Sequence, residues 1–158
     1  MEKSETLKAW AAGIFDGEGS PLISCTRQDT QDRFCIVVKI ATTDPEISNS
    51  IQEAWNGRLP AEQDTSKYGL SKRLNYTISF SRREALVFLK DIRPYTKTRL
   101  DRVDIVIKAL EACQLYEELN PRFTQLKRTP GISEIIAPFY EQLKQYSSDL
   151  KKGRKIGS

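Results

Sequence analysis

The sequence predicts an α+β fold with elements in the order α-β-β-α-β-β-α and further helices at the C-terminal end. Three observations lead there. Apolar residues recur at helical spacing near the N-terminus and again beyond residue 81, but alternate with period two between residues 21 and 42 and between 72 and 80. Capping and turn residues fall where the period changes. No apolar run approaches the length of a membrane span.

Ser4 is placed to cap a helix over about Glu5 to Asp16. Leu7, Trp10, Ala11, Ile14 and Phe15 form its bulky apolar stripe. Ala9, Ala12 and Gly13 form a second stripe of small residues, which would let another backbone approach closely. A helix buried wholly in its own domain would also carry such residues. Pro21 to Gln28 reads as a strand, Asp29 to Asp32 as a polar turn and Arg33 to Thr42 as the returning strand. Phe34, Ile36, Val38 and Ile40 alternate with Arg33, Cys35, Val37, Lys39 and Ala41, giving one apolar and one basic, mixed face.

Asp44-Pro45 starts a helix that runs to about Trp55, with Asp as N-cap and Pro at the first helical position. Gly57 to Gln63 and Lys72 to Phe80 are the third and fourth strands. In the latter, Tyr76, Ile78 and Phe80 face inward, and Arg73, Asn75, Thr77 and Ser79 outward. Ser81 is expected to cap a helix through Ala85, Leu86, Phe88, Leu89 and Ile92. Pro94 interrupts the chain before a long helix from about Lys97 to Leu119. Asn120-Pro121 ends that helix. Residues 1–120 form the expected core, 121–150 a linker and amphipathic helix, and 151–158 a basic, disordered tail.

The 158 residues suffice for one domain with a proper core. There is no histidine, which excludes a Ser-His-Asp triad, a Cys-His pair and His-ligated zinc. Acid–base or metal chemistry must therefore use carboxylates, Lys, Tyr, water or backbone. Cys25, Cys35 and Cys113 lack CxxC spacing and read as reduced thiols of an intracellular reducing compartment. The N-terminus is not a secretory signal. A net charge of +4 suits a polyanionic partner.

The first helix ends unusually, in Asp16-Gly17-Glu18-Gly19. A helix C-terminus is the negative pole of the macrodipole, where Lys or Arg is favoured. Two carboxylates there call for something positive to join them. A hard divalent cation such as Mg²⁺ prefers the carboxylate and carbonyl oxygens that a helix tip presents. Ordinary solvated carboxylates beside a Gly cap are the alternative.

The stretch Ala11-Ala12-Gly13-Ile14-Phe15-Asp16-Gly17-Glu18-Gly19 resembles the motif of the LAGLIDADG homing endonucleases. Gly13, Asp16, Gly17, Glu18 and Gly19 fall on its first glycine, first acid, second small residue, second acid and last glycine. The element order over roughly residues 4 to 115 is also that of one LAGLIDADG unit, with a curved four-stranded antiparallel sheet. The resemblance implies a metal-dependent DNA endonuclease. Because the motif occurs once, it implies a homodimer about the Ala9, Ala12 and Gly13 face, cutting a pseudo-palindromic duplex. Glu18 and the Gly17 carbonyl would hold Mg²⁺ at the scissile phosphates. Asp16 would close the helix end.

The family's basic residue near the start of the long helix corresponds to Arg99, with Lys97 close by. Thr42 stands near where relatives carry Gln or His at the water network. The outer sheet face would read the major groove through Ser24, Thr26, Gln28, Arg33, Lys39, Arg58, Arg73, Asn75 and Thr77. Three other readings stay open: a DNA-binding protein of this fold that does not cut, an RNA maturase, and a small interaction module with a coincidental acidic helix end.

Overall fold

The computed structural model describes residues 2–64, 74–123 and 129–156. It contains helix α1 (Glu5–Glu18), strands β1 (Gly19–Gln28) and β2 (Gln31–Thr42), helix α2 (Pro45–Trp55), strands β3 (Arg58–Asp64) and β4 (Leu74–Ser79), and helices α3 (Arg82–Ile92), α4 (Leu100–Leu119) and α5 (Ile132–Ile156). The expected order is present. The chain forms two compact units: residues 1–21 with 37–100, and residues 22–36 with 101–158.

In the first unit, Ser4 caps α1 by accepting the Leu7 N–H. Asp44 caps α2 by accepting the Glu46 N–H, with Pro45 behind it. Asn56 closes α2 in the left-handed region at φ 52°, a conformation its short polar side chain tolerates. Ser81 occupies the N-cap of α3, but its hydroxyl makes no capping bond.

The strand order is β1-β2-β4-β3. Antiparallel register is defined for three of these strands, β2, β4 and β3, with β1 beside β2 in the order. Ile40 faces Ile78 across β2 and β4, and both side chains are fully buried. The aromatic core is a cluster around Phe88, which stacks on Phe80 at 4.6 Å and meets Phe15 and Trp55 edge-on. Phe15 thus ties α1 to α3. Asp91 accepts from Trp55 Nε1 at 2.9 Å and pairs with Lys3 Nζ at 3.4 Å, fastening the N-terminal segment to the end of α2.

In the second unit, α4 buries Val103, Val106, Ala109, Leu110 and Cys113, and α5 buries Ile136 and Leu143. The hairpin tip docks on α5: Phe34 N–H donates to Ser133 Oγ at 2.9 Å, and the Phe34 ring lies 5.1 Å from that of Tyr140.

Several boundaries differ from the sequence expectation for identifiable reasons. Helix α1 runs on to Glu18, two residues past Asp16, because Gly17 and Glu18 keep helical geometry until Gly19 turns the chain into β1. The turn between β1 and β2 is only Asp29-Thr30, made possible by Asp29 at φ 59°. Helix α4 starts at Leu100 rather than Lys97, because Arg99 is left-handed at φ 54° and Lys97 and Thr98 bond elsewhere. The basic segment 151–155 is not disordered but continues α5 to Ile156. Among the described residues, no helix is long and apolar enough to cross a membrane.

Candidate active site

Helix α1 presents two faces within the first unit. Ala11, Ala12 and Phe15 are buried. Thr6, Ala9, Trp10, Gly13 and Gly17, at i, i+3, i+4, i+7 and i+11, are exposed. Ala12, expected on the free face beside Ala9 and Gly13, is instead covered by its own protomer. On the helical wheel it falls between buried Phe15 and exposed Ala9, and the core reaches round to cover it. Gly13 and Gly17 have open space on their outer side: a Cβ at either would meet nothing within 4 Å.

The tip of α1 is held by a segment some 80 residues away. The Asp16 carboxylate accepts the Lys97 N–H at 2.8 Å, the Thr98 N–H at 3.2 Å and the Thr98 hydroxyl at 2.9 Å. In return, Arg99 donates from Nη1 to Gly19 O at 2.7 Å, and from Nη2 to Asp16 O at 2.8 Å and Phe15 O at 3.1 Å. The cation that the acidic helix end calls for is therefore a guanidinium from its own chain. It offsets the negative pole that the carbonyls at the helix end create.

This arrangement separates the four polar residues of the tip. Asp16 is fully engaged, as its expected closing role requires. Arg99 is half-buried and commits three of its five N–H donors to main-chain carbonyls. Glu18 and Lys97 are exposed, and neither side chain has a hydrogen-bond or ion-pair partner among the described residues. The Gly17 carbonyl cannot take an ordinary helical bond, because the residue four positions on is Pro21, which has no N–H. Gly19 is fixed by close approach: a Cβ there would fall on the Phe15 ring.

As a test of fit, Glu18 and the Gly17 carbonyl are hard oxygen donors of the kind Mg²⁺ takes, alongside water and phosphate oxygens. Among the described residues of one chain, no group of three or more Cys, Asp or Glu side chains could hold a metal ion. One chain thus offers fewer donors here than the octahedral shell of Mg²⁺ takes. Thr42, expected near a water network, is buried, and its hydroxyl accepts the Asp44 N–H at 3.1 Å.

The expected base-reading residues distribute as follows. In the first unit, Lys39 and Arg58 both stand opposite Ser79, so the three share one rung and one face across β2, β4 and β3. Lys39 and Arg58 are exposed, and Asn75 and Thr77 are half-buried on that same face. The Lys39–Ser79–Arg58 rung could not be seen in the sequence, because it depends on register and on a shift between Arg58 and Ala61. In the second unit, Thr26, Gln28 and Arg33 are exposed, whereas Ser24 donates its hydroxyl to Cys35 O at 3.3 Å. Arg73 lies outside the described residues.

No family model matches the sequence, and no curated protein matches it. Solved structures do. The group I intron-encoded homing endonuclease I-CeuI, complexed with DNA, superposes with a TM-score of 0.60 at 15% identity over 90% of this chain and 68% of its own. The archaeal intron-encoded I-Vdi141I, also complexed with DNA, gives 0.55 at 15% identity over 87% of this chain and 98% of its own. The LAGLIDADG homing endonuclease I-GzeII, in complex with its DNA target, gives 0.52 at 15% identity, over 84% of this chain but 43% of its own. At such identities the likeness is one of fold. With the likeness running over most of its length, this chain has the fold of the LAGLIDADG homing endonucleases.

Proposed function

We propose that the protein is a site-specific, homodimeric DNA endonuclease that hydrolyses both strands of a pseudo-palindromic duplex with Mg²⁺. The observation that carries this reading is the division of labour at the α1 tip: the Asp16 carboxylate is spent on Lys97 and Thr98 and the Arg99 guanidinium on main-chain carbonyls, while Glu18 stays exposed beside them with no side-chain partner among the described residues. With the helix pole already met by Arg99, the exposed Glu18 carboxylate and the neighbouring Gly17 carbonyl are hard oxygen donors of the kind a divalent cation takes.

Each chain would contribute Glu18 and the Gly17 carbonyl to a centre that is completed only when two α1 helices meet. The exposed Ala9, Gly13 and Gly17 stripe admits such an approach. The length relations favour it too, since the chain spans 98% of I-Vdi141I but 43% of I-GzeII, which has room for a second unit. Bound Mg²⁺ would supply Lewis-acid stabilisation of the phosphate and a lowered water pKa. Lys97 has its main-chain N–H tied to Asp16 and its ammonium free for a phosphate oxygen. Arg99, by contrast, has both Nη atoms committed to main-chain carbonyls. Lys39, Arg58, Asn75 and Thr77 in the first unit, with Thr26, Gln28 and Arg33 in the second, would contact duplex DNA; a β-ribbon fits the major groove.

The test is a comparison of wild type with Glu18→Gln on duplexes first selected by binding in metal-free buffer. Loss of cutting with retained affinity supports the reading. Equal cutting by both proteins refutes it. Affinity without cutting by either leaves a DNA-binding protein, and preference for structured RNA over duplex DNA points to the maturase activity instead.

A further inference from the structure

We infer that Arg99 is a positioning residue for the metal centre, acting through the end of α1 rather than on the phosphate. The inference rests on the reading of Glu18 and Gly17 given above and assigns what holds them in place. A helix end normally frays, because its last four carbonyls lack intrahelical donors. Here the Gly19 N–H makes the last helical bond, to Phe15 O, and the four carbonyls left over belong to Asp16, Gly17, Glu18 and Gly19. Phe15 O receives both the Gly19 N–H and Arg99 Nη2, and Asp16 O receives Arg99 Nη2. Arg99 Nη1 then grips Gly19 O on the far side of the acid. The fork therefore brackets Gly17 and Glu18: it fixes the peptide groups before and after them, and neither of its nitrogens bonds to the Gly17 or Glu18 carbonyl.

Two further features belong to the same device. Arg99 holds φ at 54°, an unfavourable conformation for a residue with a side chain, and such strain persists where surrounding bonds over-determine it. Those bonds are the three Asp16 contacts to Lys97 and Thr98 immediately upstream. Only a planar guanidinium delivers several donors in a fixed fork. A lysine at position 99 would keep the positive charge and the backbone strain, but lose the bracket.

The experiment is a Mn²⁺ titration of the full chain followed by amide NMR, comparing wild type with Arg99→Lys. In wild type, paramagnetic broadening should centre on Gly17 to Gly19. In Arg99→Lys the midpoint should move to about tenfold higher Mn²⁺, the scale on which supporting contacts tune metal affinity. DNA affinity without metal should be unchanged. An unchanged Mn²⁺ midpoint overturns the positioning role while leaving Glu18 as ligand. No localised broadening in wild type overturns the metal reading itself, and this inference with it. If Arg99→Lys fails to fold, Arg99→Gly relieves the left-handed strain. Millimolar guanidinium should then restore its Mn²⁺ midpoint, and failure to do so is contradictory.

Discussion

Gly19 shows how much of the site depends on single atoms. It ends α1, passes its N–H to Phe15 O and its carbonyl to Arg99, and lies against the Phe15 ring with no room for a methyl group. Gly19→Ala should therefore destabilise the protein by about 2–3 kcal/mol in urea unfolding, the cost of overpacking a fixed core ring. At the same tip, Lys97→Met removes a free ammonium but leaves the backbone bond to Asp16. It should lower the cleavage rate about 100-fold, as loss of one preorganised charge at the reacting phosphate does, with little change in thermal stability. Loss of stability without loss of rate would assign Lys97 a structural role.

The sequence displayed half of this chemistry. An acid pair at a helix C-terminus announces a missing cation, and the motif singles out Glu18. Nothing local to residues 11–19 shows that Arg99 is that cation. The partners are 80 residues apart, and the left-handed turn that aims Arg99 at α1 is formed by an arginine rather than by the glycine or asparagine that would flag it.

At the scale of elements, periodicity carried well and boundaries did not. The alternation of β2 survives as buried Ile36, Val38 and Ile40 against exposed Arg33, Cys35 and Lys39. Helix α4 was placed three residues too early because Lys97-Thr98-Arg99 has good helix formers at both ends, yet tertiary bonds to α1 override that propensity. The C-terminal helix gains a purpose that its amphipathic pattern left open. Through Ser133 and Tyr140, α5 steadies Phe34 near the tip of the hairpin. Ser133→Ala combined with Tyr140→Ala should speed hydrogen exchange at the Phe34 amide and its hairpin neighbours, while α2 and α3 keep their protection. Unchanged exchange at Phe34 would show that the hairpin stands by itself. Since Arg33 and Gln28 lie on that hairpin, the double variant should also weaken DNA binding.

For the whole molecule, the proposed metal centre needs two chains, because one 18.1 kDa chain carries one Glu18. Gly13 separates folding from association. Its outer side is open in the protomer, so Gly13→Leu should raise helix stability by about 1 kcal/mol while obstructing a second α1. Sedimentation should show a dimer for wild type and a folded monomer for Gly13→Leu, and cleavage should fall with the dimer. A dimer that persists in the variant would move the two-fold axis away from this face.

The most direct measurement of the central claim is cleavage of a large randomised duplex library in Mg²⁺, with the cut ends sequenced and Glu18→Gln treated in parallel. Wild type should give ends clustered on both strands of one pseudo-palindrome, and Glu18→Gln should give none. Cuts shared by both proteins, or no enriched cuts from a well-folded dimer, would contradict it.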